Sequence, residues 1–120
     1  MFPSRPGLRH GRIIFAWIKD RNGHGKLRPC LILTENDEIS PNEELSVMAI
    51  TTTFADPPPL FCVPLPWHPR EHPVTKLHQR SAAVLNWLAM IHPTDVVGYG
   101  GDVPEKIMRV IRVRLDEMAE

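Results

Sequence analysis

Arg28 and Pro29 form the step in this 120-residue sequence whose residue types could most readily do chemistry. An apolar run of strand length follows them to Thr34, and a glycine-rich stretch containing His24 precedes them. Because proline cannot donate a ladder hydrogen bond, Pro29 belongs at the start of a strand or on a sheet edge. We therefore expect Arg28 at the rim of a sheet, where its guanidinium could bind a phosphate. On the residues alone, an ordinary rim arginine is the favoured interpretation.

Charge is distributed unevenly along the chain, although the formal net charge is zero. The first 28 residues contain one acid, Asp20, and a series of basic residues: Arg5, Arg9, Arg12, Lys19, Arg21, Lys26 and Arg28. Residues 35–56 contain acids and neither lysine nor arginine. This separation permits a local anion-binding face on a protein that is not basic overall. Solvated loops are the favoured interpretation for most of these side chains.

Histidine and cysteine spacing argues against a metal site. His68 and His72 are spaced as in some zinc sites, but the prolines around them are incompatible with a helix and no cysteine lies nearby. Cys30 and Cys62 stand singly in apolar runs, so we expect buried thiols rather than a disulfide, as in a reducing cytosol. We predict no metal and no cofactor.

The hydrophobic pattern predicts short strands followed by one helix. The length and the 42% hydrophobic content suit a single domain over residues 1–120, with a loose arm at 1–10. No run is long enough to span a membrane, and the N-terminus lacks a secretory signal. Strands are predicted at 11–18, 27–34, 45–53 and 60–65. Residues 81–92 have a periodicity that also fits a helix, and they are interpreted as one or two strands partly because of the family resemblance given below.

The clearest local signal predicts a C-terminal helix over residues 102–119. Asp102 would be the N-cap, Pro104 would lie in the first turn and Glu105 would complete a capping box. The residues that follow place an apolar stripe along one helical face: Ile107, Val110, Ile111, Leu115 and Met118. Together with the strands, this helix predicts a mainly β (α+β) protein, a small barrel or curled sheet closed by a helix.

Three segments of the sequence resemble the PemK/MazF-like toxin family. They are the stretch at 11–14, the Arg-Pro strand at 25–33 and the Ala-Ile-Thr-Thr end at 49–52. The order of the later segments also resembles the family, over about residues 11–115. The resemblance implies an SH3-like barrel, a homodimer and a metal-independent endoribonuclease that cuts single-stranded RNA and is blocked by an antitoxin.

The resemblance also implies which residues form the site. Arg28 matches the family's arginine beside the strand proline and would stabilise phosphate charge, and Thr52 is the favoured second catalytic residue. Because adjacent strand residues face opposite ways, only one of Thr51 and Thr52 should point at the site. The residues expected to bind RNA are Thr51, Lys26, His24, Arg80 and Ser81.

The sequence departs from the family pattern on the strand after Ser81. Asn86 stands where an acid is expected and Val84 where an arginine is expected. An asparagine cannot act as a general base near neutral pH. Another group would then serve, with His24, His78 and Arg80 as candidates, or the protein binds RNA without cutting it well.

The function implied by the resemblance is a cytoplasmic toxin of a toxin–antitoxin system. Its reaction would be attack by the ribose 2′-hydroxyl on the adjacent phosphorus, giving a cyclic phosphate. The alternative is a catalytically weak or inactive module of the same fold that binds nucleic acid or an antitoxin. A less favoured interpretation is an interaction protein that uses the proline-rich residues 55–73.

Overall fold

The computed structural model describes residues 7–20 and 22–119, which form six strands and one α-helix. Of the predicted arm at residues 1–10, residues 1–6 lie outside the described residues. The elements in chain order are β1 (Arg12–Lys19), β2 (Gly25–Ile32), β3 (Leu45–Thr51), β4 (Cys62–Leu65), β5 (Ser81–Ile91), β6 (Val96–Asp102) and α1 (Glu105–Met118). Short 3₁₀ turns lie between β2 and β3 (Asn36–Glu38) and between β5 and β6 (Pro93–Asp95).

The six strands form one antiparallel sheet in the order β4-β5-β3-β2-β1-β6. The predicted mainly β class with a C-terminal helix is confirmed. The barrel, however, is not closed, because β4 and β6 remain the two edges of the sheet as described. Residues 81–92, which were compatible with a helix, form a single long strand that pairs with both β3 and β4.

Each face of the sheet carries its own buried core. The first face, which we call the inner face, is lined by alternate residues of β1, β2 and β3, among them Ile14, Cys30 and Val47. The second, the helix face, carries Ile13, Leu31 and Met48 and is covered by α1. This alternation follows from the two-residue period of a strand. It also explains why the strands read as nearly continuous apolar runs.

The glycine-rich strand β6 was not predicted, because Val96–Asp102 contains three glycines and reads as a turn. It pairs with the free side of β1. The glycines permit close packing: a Cβ at Gly98 would meet the Phe15 ring at 3.5 Å, and one at Gly100 would meet Ile13 Cγ2 at 3.0 Å. Here tertiary packing outweighs the low strand propensity of glycine.

The prediction that Asp102 caps the helix is wrong. Pro104 is the N-cap, no side chain caps the first turn, and the helix begins at Glu105. Asp102 is the last residue of β6, and its carboxylate accepts hydrogen bonds from Arg9 Nε (2.8 Å) and Nη2 (2.7 Å). Arg9 lowers the pKa of Asp102, first through this hydrogen bond, since it favours the charged carboxylate.

Two residues of the predicted arm pack against the rest of the protein. Within the predicted arm, Leu8 is buried in the inner core and Arg9 forms the ion pair with Asp102.

Cys30 and Cys62 are free, buried thiols, as predicted. Burial raises the pKa of the Cys30 thiol to about 12. No helix among residues 7–20 and 22–119 is long and apolar enough to cross a membrane.

Candidate nucleic-acid interface

Arg28 lies on the inner face of the sheet because of the register of β2 against β1. Arg28 is opposite Ala16 and Cys30 is opposite Ile14, and all but Arg28 belong to the inner core. Pro29 lies mid-strand rather than at its start. On the β3 side, however, pairing begins only at Cys30, so Pro29 occupies a local edge, as proline requires. Arg28 therefore lies in the part of β2 that does not pair with β3.

Thr51 shares this opening between β2 and β3. Cys30 is opposite Ala49, so continuing the register by two residues on each strand brings Arg28 opposite Thr51. Val47 and Ala49 face the inner core, and alternation puts Thr51 on that side as well. The Thr51 hydroxyl donates to the carbonyl of Thr53 at 3.2 Å and accepts from its N–H at 3.1 Å. Thr52 lies just beyond the strand and is exposed.

Trp87 reaches the same face through an irregularity of β5. Ala83 and Leu85 pack on the helix face, and simple alternation would keep Trp87 there. Instead Trp87 packs against the inner core. The register explains the change: Ile50 is opposite Ala83 and Met48 is opposite Leu88, so residues 84–87 stand opposite Ala49 alone. Extra residues of this kind bend a strand and redirect its side chains.

The guanidinium of Arg28 stacks on the Trp87 indole, with 4.6 Å from Cζ to the ring centroid. Nε of Arg28 is buried and has no hydrogen-bond partner. Within residues 7–20 and 22–119, no acceptor or acid is bonded to this guanidinium. Asp20 interacts with Arg28 through charge, without a hydrogen bond to it, so the half-buried guanidinium keeps its N–H donors available for another partner.

The loop between β1 and β2 is organised by Asp20. Its carboxylate accepts from the backbone N–H groups of Asn22 and His24, each at 2.9 Å. The hydrogen bond from His24 is the largest cause that lowers the Asp20 pKa, and the charge of Arg28 adds to it. His24 is 80% exposed, and its Nδ1 lies 3.9 Å from Asp20 Oδ2. The loop thus presents an imidazole beside a carboxylate.

A cleft of about 450 Å³ lies between this loop and β5. Its lining residues are Lys19, Asp20, Asn22, Phe61, Val84, Asn86, Trp87 and Leu88. Asn86 is exposed within it, so the position where an acid was expected carries an amide that can donate and accept hydrogen bonds but cannot act as a base. Trp87, which stacks on Arg28, is one of the residues that line the cleft, and its Nε1 donates to the Lys19 carbonyl at 3.3 Å.

The other predicted RNA-binding residues differ in how accessible they are. Lys26 is exposed, opposite Ile18, and alternation puts it on the inner face with Arg28. Arg80 is half-buried: it donates to the carbonyls of Phe54 (3.0 Å) and Ala55 (3.2 Å) and stacks on the Phe54 ring. Ser81 is 2% exposed and donates to the carbonyl of Gln79. The structure groups Arg28, Lys26 and Thr51 and leaves Ser81 in the core.

His68, His78, Trp17 and Trp67 make no hydrogen bond or ring contact with Arg28, Lys26 or Thr51 among the described residues. His68 Nδ1 accepts from the backbone N–H groups of Arg70 and Glu71, and His78 Nδ1 contacts the His68 carbonyl, so both histidines organise the loop before β5. Trp17 is 61% exposed and therefore lies outside the core. Trp67 is 42% exposed in its loop.

The stacking of Trp87 on Arg28 was not predicted from the sequence. The irregularity that redirects it carries no glycine or proline between residues 81 and 91, so no local residue type signals it. Trp87 follows Ser81, an expected RNA-binding residue, by six residues, and this spacing is only a weak signal. The redirected ring is visible only once the register is known.

Fold and site together define a class: a small antiparallel sheet with one covering helix and a cationic, aromatic-lined opening on the inner face. A family model described as PemK-like, MazF-like toxin of type II toxin–antitoxin system matches residues 9–119. The chain therefore belongs to the PemK/MazF toxin family, whose members are known as endoribonucleases. A comparison with curated protein sequences gives no match.

Solved structures support the same fold at low sequence identity. MazF from Deinococcus radiodurans superposes with a TM-score of 0.72 at 15% identity, covering 93% of this chain and 96% of that one. An endoribonuclease in complex with its cognate antitoxin from Mycobacterial species gives 0.67 at 15%, covering 93% and 94%. Mycobacterium tuberculosis toxin MazF-mt6 gives 0.65 at 21%, covering 88% and 93%.

Proposed function

We propose that this protein is the toxin of a toxin–antitoxin pair and cuts single-stranded RNA without a metal ion. The observation that carries the proposal is the Arg28 guanidinium, stacked on Trp87 with its N–H donors unengaged within the described residues, in a chain of this family. Guanidinium donors match two phosphate oxygens at once and keep their charge at any working pH.

The proposed reaction is an internal transesterification. The 2′-hydroxyl of one nucleotide attacks the adjacent phosphorus and loses its proton to a base, while the bond to the 5′-oxygen breaks and an acid protonates that oxygen. The products are a 2′,3′-cyclic phosphate and a 5′-hydroxyl. Arg28 would stabilise the additional negative charge on the phosphorane, which is the term that preorganised donors contribute most strongly.

The supporting residues would act around that phosphate. Thr51 would position it from the inner face that it shares with Arg28, by way of its turn with Thr53. Thr52, the second catalytic residue expected from the resemblance, is exposed just beyond β3 and would contact the RNA there. Lys26 would neutralise a neighbouring phosphate. His24 would serve as the acid or base, since its ring is exposed and lies beside Asp20. Arg80 and Ser81 would act by shaping the loop before β5, because their polar groups already bond carbonyls.

The partners follow from the family and from relatives. Structures of MazF with MazE and of an endoribonuclease with its cognate antitoxin support an antitoxin as a partner here. A homodimer is proposed as well: an apolar groove of about 360 Å³ beside Leu60, Phe61 and Met118 would be covered by a second copy. We further propose that the protein acts as one domain in the cytoplasm.

A second candidate function is an RNA-binding module that does not cut. Asn86 favours it, because this exposed cleft residue supplies no base where the family pattern has an acid. Both candidates use the same inner-face opening, so they differ in chemistry rather than in place.

The two candidates are separated by induced expression without an antitoxin. The toxin should arrest growth, and mapping of cellular RNA ends should show new 5′ ends within short recurring sequences. Arg28→Ala should remove both effects, whereas Arg109→Ala should keep them, because that exposed arginine lies on α1 and contacts Glu105. Normal growth with unchanged RNA ends would contradict the endoribonuclease proposal.

A further inference from the structure

Arg28 is one of three arginines that stack on an aromatic ring in the described structure, and the three differ in how their donors are used. Arg80 stacks on Phe54 and also donates to two carbonyls. Arg12 stacks on Tyr99, and its Nε donates to the Gly100 carbonyl at 2.9 Å. Only the Arg28 guanidinium has its ring contact without a hydrogen bond among residues 7–20 and 22–119.

This difference matters because an arginine needs something to hold it. A carboxylate partner would fix the guanidinium but would also occupy its donors and cancel its charge. A ring contacts the flat face of the guanidinium, leaving both the in-plane N–H groups and the positive charge available. The Trp87 indole therefore orients Arg28 in a way that remains compatible with an incoming phosphate.

The indole is itself held at two points. Its Nε1 donates to the Lys19 carbonyl at the end of β1, and the ring packs against the inner core. The Lys19 end leads directly into the loop organised by Asp20, which contains His24. One side chain of β5 thus contacts both the strand carrying Arg28 and the start of the loop carrying the exposed imidazole.

We propose that Trp87 is the positioning residue of the site: its indole fixes the Arg28 guanidinium for phosphate and ties the loop that starts at Lys19 to the same opening. This inference rests on the proposed function for its consequence in catalysis. The irregularity of β5 at residues 84–87 is what makes it possible, because alternation without it would turn Trp87 to the helix face. The sheet register therefore serves the site directly.

The first test is spectroscopic and needs no RNA. In ¹H–¹⁵N spectra, the buried Arg28 Nε–H should give a separate signal, assigned by its loss in Arg28→Lys. Trp87→Leu should broaden that signal or move it to the position of a free arginine, whereas Trp87→Phe should largely keep it. Tyr99→Leu is the matched control, because it removes the ring from Arg12 and should leave the Arg28 signal unchanged.

The second test is kinetic. A lost cation–π contact corresponds to roughly a 3- to 30-fold fall in kcat for RNA cleavage in Trp87→Leu, with KM changed less and the rate mostly restored in Trp87→Phe. In an Arg28→Ala background, Trp87→Leu should slow cleavage no further. An equal kcat in wild type and Trp87→Leu, or additive losses in the double variant, would overturn the positioning role.

The two tests also separate this proposal from the function on which it rests. If the wild-type protein neither cuts nor binds RNA, the proposed function fails, and the Arg28 signal still decides whether Trp87 holds the guanidinium. If Trp87→Leu does not fold, the Trp87 indole N–H is followed instead in Arg28→Met. A shift of that signal supports the contact, and an unchanged signal overturns it.

Discussion

Replacing Gly101 by alanine should destabilise the protein more than any other single-methyl change at a glycine of β6. An added Cβ would overlap the carbonyl oxygen of Val74 and stand 2.6 Å from the carbonyl carbon of Thr75. These are backbone atoms, so no side-chain rotation can relieve the overlap, and the crossing segment must move away from β6.

The magnitude follows from what that movement breaks. Gly101 N–H donates to the Thr75 carbonyl at 2.9 Å, and Asp102 N–H donates to the Val74 carbonyl at 3.0 Å. Each backbone hydrogen bond contributes about 0.5–1.5 kcal/mol net. Overpacking of a well-filled site costs about 1–3 kcal/mol more. We therefore expect the free energy of unfolding to fall by roughly 2–6 kcal/mol.

Urea unfolding followed by circular dichroism would measure the loss, with Gly25→Ala as the matched control. A Cβ at Gly25 would meet only Trp17, at 4.0 Å, so this change should be neutral or stabilise the strand by up to about 1 kcal/mol. A Gly101→Ala variant within about 0.5 kcal/mol of wild type would refute the packing of residues 74–75 against β6.

Two further predictions concern titrating groups. Because Arg9 lowers the folded-state pKa of Asp102, the ion pair contributes stability above the ordinary aspartate pKa of about 4 and loses it as pH falls through the folded value. The pair is partly exposed, so the free energy of unfolding of the wild type in urea at pH 7 should exceed that of Asp102→Asn by less than about 1 kcal/mol. A difference that persists at pH 2.5 would contradict this. Burial raises the pKa of both thiols, that of Cys30 to about 12. Neither Cys30 nor Cys62 should therefore react promptly with a disulfide reagent at pH 8 until urea is added. Rapid reaction of one thiol per native protein molecule would be evidence against this burial.

The sequence was most informative where local chemistry and tertiary structure agree. Strands β1 to β4, the C-terminal helix and the two buried cysteines follow from the hydrophobic pattern and residue type, whereas β5 was interpreted as a strand partly from the family resemblance and β6 was not predicted. Arg28 beside Pro29 was expected at a sheet edge, and the structure has a local edge there, because β3 pairs only from Cys30 onward. Proline restricts its surroundings so strongly that the edge position follows from the residue type itself.

It was least informative where distant segments decide the outcome. The strand β6 forms from glycines because Phe15 and Ile13 pack over them, which no window of the β6 sequence contains. Asp102 looked like a helix cap until Arg9, 93 residues earlier, provided a stronger partner for its carboxylate. The turn of Trp87 to the inner face depends on a register between β3 and β5 that the sequence does not specify locally.

The candidate site, too, could be predicted from the sequence only in part. The family resemblance implied that Arg28 and the threonine pair Thr51 and Thr52 lie together, and extending the β2–β3 register brings Arg28 opposite Thr51. The accessibility of individual side chains was not predictable, since Ser81 is buried while Lys26 is exposed. Burial of a polar side chain depends on which strands flank it, as β5 shows with partners on both sides.

The central claim is tested most directly by RNA cleavage in vitro. A long single-stranded RNA is incubated with wild type, Arg28→Ala and Arg109→Ala in excess EDTA, and the ends of the products are analysed chemically. We predict cleavage by wild type and Arg109→Ala that leaves 2′,3′-cyclic phosphates and 5′-hydroxyls, and at least a 10-fold slower reaction with Arg28→Ala, about 1.4 kcal/mol of transition-state stabilisation or more. Cleavage that requires a metal ion, or that proceeds equally well without Arg28, would contradict the account.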